Sequence, residues 1–225
     1  MPLSLQLVTP PAAEPVSLSL AKQHLRVDFS DDDVLIAALI TAARQYCEKY
    51  THRAFFNQTW LRTLDYFPLW YNPDGTVNPR YRSDWPYYAD FWGRIAIDLP
   101  RPRTVSVTSI TYVDPTGTTQ TLDPSTYVVD TTSMPARIVP AKGFYWPSVN
   151  VYQPGGVKIT YVAGSYGDGV DVNTCPQTIV MAMLLLIAHW YEHREGSSEL
   201  NLKNIPLGVQ ALLDTEKLQV FEYRP

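Results

Sequence analysis

The sequence predicts an α+β fold: a small helical bundle formed by N- and C-terminal helices, with an inserted antiparallel β module. Two long helical patterns indicate this, one over 30–50 and the other over 176–195. Between them the hydrophobic period changes to two residues, which is typical of strands with one buried face. Because neither helix can bury its apolar face alone, the simplest fold packs them together and leaves the β module as an insertion.

These patterns divide the chain into consecutive parts. The expected parts are an extended N-terminal arm (1–16), a helical domain in two pieces (17–56 and 175–213), a β module (57–174) with an aromatic loop (68–94), and a C-terminal arm (214–225). The N-terminal arm is expected to be extended because it carries four prolines, which cannot continue a helix.

The N-terminal helices have recognisable caps and spacing. A short helix is expected over 17–25, capped by Ser17 or Ser19. The first long helix is expected to follow the N-cap Ser30, where three aspartates meet the positive end of the helix dipole. Its predicted buried stripe, spaced by three or four residues, is Leu35, Leu39, Ala42, Tyr46 and Tyr50.

About six or seven short strands are expected in the β module. They lie over 60–66, 95–99, 105–113, 118–122, 127–129, 137–139 and 157–162. The clearest pairing is a hairpin around Asp-Pro-Thr-Gly at 114–117, a sequence typical of tight turns. Beyond the second long helix, another short helix is expected to start near Pro206 and reach residue 213.

Composition narrows the function classes. Hydrophobic residues make up 45% of the chain and charged residues 18%, which is typical of globular proteins. A net charge of −4 gives no support for a nucleic-acid binder.

The cysteines and the apolar stretches indicate the compartment. Cys47 and Cys175 are too few for a disulfide framework and fit a reducing compartment. The N-terminus lacks a signal-peptide pattern, and the longest apolar stretch, 179–188, is shorter than the ~20 residues that span a bilayer, so no membrane association is expected.

The sharpest catalytic candidate is His-Trp-Tyr-Glu-His at 189–193. His189 and His193 share a helix face, and Glu192 completes the H-x-x-E-H order of inverted zinc proteases, so a zinc hydrolase is one alternative. The motif needs a third ligand. The glutamates that follow it, none of them in a second motif, are Glu195, Glu199, Glu216 and Glu222. The favoured interpretation places His189 near the bundle seam and the other two side chains at solvent or a neighbour, with no cofactor and no catalytic residues.

The loop at 68–94 is the most unusual segment. Its eight aromatic residues are Trp70, Tyr71, Tyr81, Trp85, Tyr87, Tyr88, Phe91 and Trp92. A loop of this length inside a domain is usually functional or mobile. Exposed rings could stack on sugars, so a carbohydrate-binding β module is a second alternative. Since no other polar groups typical of a sugar site accompany the rings, contact with a protein or local packing is favoured.

Three stretches carry a family resemblance. The first stretch consists of 16–28, which begins Val-Ser-Leu-Ser-Leu-Ala, together with 31–36 and 42–44. The second consists of Leu-Pro-Arg-Pro at 99–102, together with 105–112 and the turn at 114–117. The third consists of 176–195 and 206–213. In this order they resemble the head-tail connector, or adaptor, proteins of tailed bacteriophages, in the longer variety with a β module between the helices. The loop at 68–94 is longer and more aromatic than that family pattern requires.

The resemblance implies a structural role rather than an enzyme. Such proteins form a homo-oligomeric ring, usually of twelve copies, beneath the portal protein in the virion neck. The ring extends the channel through which genomic DNA passes without sequence-specific binding, and it offers a platform to the next tail or neck protein, a stopper or tail terminator. Synthesis would take place in the host bacterial cytoplasm. The C-terminal segment typically reaches into the portal, and the implied docking residues are Leu218, Val220, Phe221, Tyr223 and Arg224. The aromatic loop is then expected to contact a neighbouring subunit or the next tail protein.

Overall fold

The computed structural model describes residues 4–68, 96–150, 152–193 and 207–218, which fall into two compact units. The β unit consists of the described residues within Met1–Pro10 and Gln58–Ala163. The helical unit consists of the described residues within Pro11–Asn57 and Gly164–Pro225. Helices and antiparallel strands both occur, so the predicted α+β class is confirmed.

Within the described residues, the helical unit contains four α-helices. They are α1 (Leu18–Leu25), α2 (Asp33–Thr51), α3 (Gln177–Glu192) and α4 (Leu207–Asp214). The hydroxyl oxygen of Ser17 caps α1 by accepting a hydrogen bond from the Leu20 N–H at 3.2 Å. The prediction that Ser30 is the N-cap of α2 is wrong, because α2 begins at Asp33. The carbonyl oxygen of Ser30 instead accepts the Asp33 N–H at 3.1 Å and closes a turn before the helix.

One apolar core holds the four helices together, and α2 and α3 supply most of it. Its fully buried members include Ile36, Ala43, Cys47, Ile179, Ala182, Met183, Leu186, Ile187, Val209 and Leu213. Burying one large aliphatic side chain stabilises a fold by about 1.5–3 kcal/mol, so this cluster dominates the stability of the unit.

The buried face of α2 lies one residue later than the sequence predicted. The predicted stripe lies at the margin of that face, where Leu39, Tyr46 and Tyr50 are partly buried and Ala42 is exposed. The residues that follow them, among them Ile40, are buried instead. The reason is that α2 packs against α1, α3 and α4 together, which widens and rotates its buried face.

The β unit contains eight strands within the described residues: seven lie in the predicted β module, which agrees with the expected six or seven, and one more comes from the N-terminal segment. They are β1 (Ser4–Thr9), β2 (Gln58–Leu64), β3 (Ile97–Leu99), β4 (Thr104–Val113), β5 (Thr119–Thr121), β6 (Tyr127–Asp130), β7 (Ala136–Pro140) and β8 (Val157–Ala163). A five-stranded sheet has the order β1-β2-β8-β4-β5 and a three-stranded sheet the order β3-β7-β6. Every pairing between these described strands is antiparallel.

Strand β1 comes from the segment that the sequence marked only as an extended arm. It pairs with β2 at the edge of the larger sheet, with Leu5 opposite Arg62 and Leu7 opposite Trp60. The expected hairpin joins β4 and β5, and Gly117 takes a φ of 88° in its turn, a conformation that glycine adopts without strain.

Candidate assembly surfaces

The last described residues of the chain are fastened to the end of α2. The Leu218 N–H donates to the carbonyl oxygen of Thr51 at 3.2 Å. The Nε of Arg53 donates to the carbonyl oxygen of Glu216 at 2.9 Å. These bonds join segments that are far apart in the sequence, and they fix the position of the backbone over 214–218.

The side chain of Glu216 adds a second set of contacts. Its carboxylate accepts hydrogen bonds from the hydroxyls of Tyr166 and Thr178, each at 3.3 Å. Burial raises the pKa of Tyr166 to about 12, so this phenol stays a neutral donor at physiological pH. Thr178 lies in the first turn of α3, and Glu216 therefore connects the C-terminal segment to that helix as well.

Tyr50 also contacts the segment 214–218, through its hydroxyl and through its ring. Its hydroxyl donates to the carboxylate of Asp214 at 2.8 Å, and this bond is the main cause that raises the pKa of Tyr50. The ammonium of Lys217 lies over the Tyr50 ring at 4.9 Å from its centroid. We call the whole arrangement the C-terminal clasp; its members are Tyr50, Thr51, Arg53, Tyr166, Thr178 and the segment 214–218. Of the implied docking residues only Leu218 is described, and the other four lie outside the described residues.

A buried ion-pair network braces α2 on another side. Arg44, 2% exposed, pairs through Nε with Glu14 and through Nη1 with Glu48, both at 2.8 Å. The second carboxylate oxygen of Glu48 accepts the Phe55 N–H at 2.8 Å. The hydroxyl of Thr41 donates to Glu14 at 3.1 Å. The network ties the segments before and after α2 to that helix. Only the Arg44–Glu48 pair has a signal in the sequence, an i,i+4 spacing.

Two helices of this unit present apolar residues outward. On α2 the exposed residues Val34, Ala37, Ala38 and Ala42 share one face, which we call the α2 face. On α4 the exposed residues Leu207 and Ala211 are one turn apart, and we call this the α4 face. Outward faces of surface helices are normally polar, so both faces are unusual.

The H-x-x-E-H motif lies at the end of α3. The imidazole rings of His189 and His193 are 4.9 Å apart between centroids, and Nδ1 of His193 lies 2.9 Å from the His189 carbonyl oxygen. His189 is partly buried, whereas Glu192 and His193 are exposed. Within the described ranges no three His, Cys, Asp or Glu side chains form a group suited to a metal ion. Glu195 and Glu199 lie outside those ranges, so the zinc alternative stays a prediction.

The connector resemblance is supported by a family comparison. Residues 15–79 match the phage gp6-like head-tail connector family. The matched stretch includes α1, α2 and β2, and with them the buried pair Arg44 and Glu48. The expected resemblance is confirmed for this part of the chain.

Solved structures with similar folds extend the likeness along the chain. A chain from the neck of an empty gene transfer agent particle, computed with C6 symmetry, has a TM-score of 0.67 at 21% identity, covering 99% of this chain and 100% of that one. A chain from the virion of the native gene transfer agent particle has a TM-score of 0.66 at 20% identity, covering 98% of this chain and 99% of that one. A chain from the neck of the native particle, computed with C12 symmetry, has a TM-score of 0.64 at 22% identity, and the match covers 100% of both chains. At these identities the likeness shows a shared fold. No curated protein matches the chain significantly.

Two further expectations concern the aromatic loop and the membrane. All eight aromatic residues of the loop at 68–94 lie outside the described residues, so their predicted contact with a subunit or tail protein stays a prediction. In the part of the chain that the structure describes, no helix combines the length and apolarity needed to cross a membrane.

Proposed function

We propose that the chain is a structural subunit of a head-tail connector ring in the neck of a tailed virus-like particle. The ring would dock beneath the portal, extend the DNA channel and provide the platform for the next tail or neck protein. The observation that carries this proposal is the match of residues 15–79 to the gp6-like connector family. The fold shared with particle-neck chains over 98–100% of this chain's length supports it.

The helical unit has properties that suit such a subunit. Its core is continuous, and its buried Arg44 is paired with two carboxylates, so the unit can present a constant shape to its neighbours. The net charge of −4 suits a channel wall along which DNA slides without binding, provided that the lining residues share this sign.

A native mass spectrum of the purified chain, alone and mixed with its portal, tests the ring directly. We expect a closed oligomer of about twelve metal-free copies, because head-to-tail contacts that close give a ring of defined size. A chain that stays monomeric even with portal would contradict the proposal. A monomer or dimer with one zinc per chain would instead favour the hydrolase that uses His189, Glu192 and His193.

The docking arm is tested separately from the ring. We propose that Phe221 and Tyr223 anchor the chain in the portal and that Arg224 adds a charge contact, with Leu218 and Val220 beside them. The double variant Phe221→Ala/Tyr223→Ala should lose portal binding in a pull-down and keep the oligomer seen by native mass spectrometry. Gln45→Ala, on the exposed side of α2, is the matched control and should keep both. Unchanged portal binding by the double variant would rule out this arm.

The aromatic loop can be tested by deletion. Replacing 68–94 with a short Gly-Ser linker should weaken ring or tail assembly, because aromatic side chains dominate the energy of many interfaces. The far-UV circular dichroism of the helices should be retained. Assembly at the wild-type level would show that the loop serves another purpose.

A further inference from the structure

The C-terminal clasp closes the end of α2. The last four carbonyl oxygens of a helix have no partner within that helix. Thr51 is the last residue of α2 and is fully buried, so its carbonyl oxygen needs a donor from elsewhere in the chain. The Leu218 N–H is that donor, at 3.2 Å. Leaving a buried carbonyl oxygen without a donor is costly, which favours the closed clasp and a fixed backbone at Leu218.

Glu216 is held through its backbone and through its side chain. Arg53, which follows the end of α2, donates to the Glu216 carbonyl oxygen at 2.9 Å. The Glu216 carboxylate accepts hydrogen bonds from the hydroxyls of Tyr166 and Thr178, each at 3.3 Å. Contacts that come from three parts of the helical unit fix the direction of the segment as well as its position, which a single contact cannot do.

The clasp also limits how far the proposed portal anchors can lie from the helical unit. An extended chain spans at most about 3.6 Å per residue. Phe221 is three residues beyond Leu218, so a closed clasp keeps it within about 11 Å of that fixed point. If the clasp opened, the chain would be free from Asp214, the last residue of α4, and the seven residues from there to Phe221 would allow about 25 Å.

We propose that the C-terminal clasp positions the docking arm for portal binding, with Arg53 and Glu216 as its positioning residues. This inference rests on the proposed docking of the arm in the portal, and it names what holds the root of that arm. The clasp contacts are made within one chain, so the root of the arm is oriented before the arm meets the portal. Such preorganisation favours binding because less freedom is lost when the complex forms.

The ring makes this positioning matter for affinity. Once one arm of a ring has bound, every further arm binds from a tethered position, and its effective concentration falls roughly as the −3/2 power of the free tether length. Lengthening the tether to Phe221 from three to seven residues therefore lowers that concentration about fourfold for each arm. The loss multiplies over the arms that bind together, so a small change in the clasp has a large effect on the ring.

Loosening the clasp in the full chain tests the proposal. Glu216→Ala should raise the chain concentration at which half of the portal carries a ring by at least about fivefold, measured by a native mass spectrometric titration. Amide exchange at Leu218 should accelerate in the same variant. Arg53→Met removes the bond to the Glu216 carbonyl oxygen and should shift both quantities in the same direction.

Two controls separate positioning from a general loss of stability. Glu216→Gln keeps an acceptor oxygen for the two hydroxyls and should restore portal binding to within about twofold of the wild type. Ile36→Val lies in the buried core and outside the clasp, so it destabilises the unit without changing the root of the arm. It should lose unfolding free energy in urea and keep portal binding within about twofold of the wild type.

The outcomes distinguish this proposal from the docking arm itself. If Phe221→Ala/Tyr223→Ala abolishes portal binding while both clasp variants bind like the wild type, the arm docks but the clasp does not position it. Unchanged amide exchange at Leu218 in Glu216→Ala and in Arg53→Met would also overturn the positioning role. If the variant without the two aromatic anchors binds the portal normally, the docking arm is wrong and the positioning role falls with it.

Discussion

Arg44 in the helical unit and Arg62 in the β unit both lie in largely buried surroundings, but their guanidinium groups differ in the partners that surround them. Arg44 has carboxylates on two of its nitrogens. Among the described residues, Nε and Nη1 of Arg62 have no hydrogen-bond partner; burial lowers the pKa of Arg62, and the Asp98 carboxylate opposes this shift only in part. A buried charge helps to define a structure only when its partners are in place, so the two residues should matter very differently.

The same contrast extends to neutral groups. In the β unit, the indole N–H of Trp60 and the hydroxyl of Thr104 are also buried without a hydrogen-bond partner among the described residues. In the helical unit, the buried hydroxyl of Thr51 donates to the carbonyl oxygen of Cys47 at 2.8 Å. Trp60, Arg62 and Thr104 thus place unbonded buried polar atoms in the β unit, although that unit also has satisfied polar contacts such as the Arg137–Asp130 ion pair at 2.8 Å.

Removing the charge of Arg44 should have the largest effect. Arg44→Met removes the guanidinium that pairs with Glu14 and with the 6%-exposed Glu48, and breaking a buried pair in this way costs about 3–5 kcal/mol. Urea unfolding followed by circular dichroism measures the loss. Lys49→Met, on the exposed side of the same helix, is the control and should change stability by less than about 0.5 kcal/mol. A loss below 1 kcal/mol for Arg44→Met would contradict the importance of the network.

The C-terminal clasp should give an intermediate effect. Glu216→Ala removes the acceptor for Tyr166 and Thr178, at a cost of about 1–2 kcal/mol, and keeps the backbone bond to Arg53. Amide exchange at Leu218 should accelerate more than exchange in the middle of α2. Glu192→Ala, an exposed glutamate at the end of α3, serves as the control. Unchanged exchange at Leu218 would show that the backbone bonds alone hold the segment.

Replacing Arg62 should have a much smaller effect than replacing Arg44. Arg62→Met keeps most of the side-chain volume and removes a charge that lacks hydrogen-bond partners on two nitrogens but is attracted by the Asp98 carboxylate, so the loss of stability should stay within about 1 kcal/mol. The same urea experiment compares both arginine variants directly. A loss as large as that expected for Arg44→Met would mean that Arg62 is fully paired and would remove the contrast between the two units.

Local patterns in the sequence predicted most helices and strands because each element repeats its own period. The strand β1 was not predicted because its alternation is short and is followed by Pro10 and Pro11. The clasp could not be predicted: Arg53 and Glu216 are 163 residues apart, and nothing local indicates that they meet. The same holds for Glu14, which reaches Arg44 across 30 residues. Periodicity identifies the elements, but the long-range polar contacts depend on how those elements pack.

The smallest expected effect lies in the β4–β5 hairpin, where the polar contacts are exposed. Asp114 accepts hydrogen bonds from the Thr116 hydroxyl, the Gln120 amide and the Thr118 N–H, and these lower its pKa to about 2. Because the folded pKa lies below the ordinary value of about 3.9, the carboxylate stabilises the turn above pH 4, and this contribution is lost as the pH falls through 2. An NMR titration of the Asp114 carboxyl carbon measures the pKa, and amide exchange in the turn should speed up over the same range. Asp114→Asn should abolish that pH dependence, and a midpoint near 4 would show that the turn does not hold the charged form. Such a result would weaken the case for local polar order in the β unit and widen its difference from the paired interior of the helical unit.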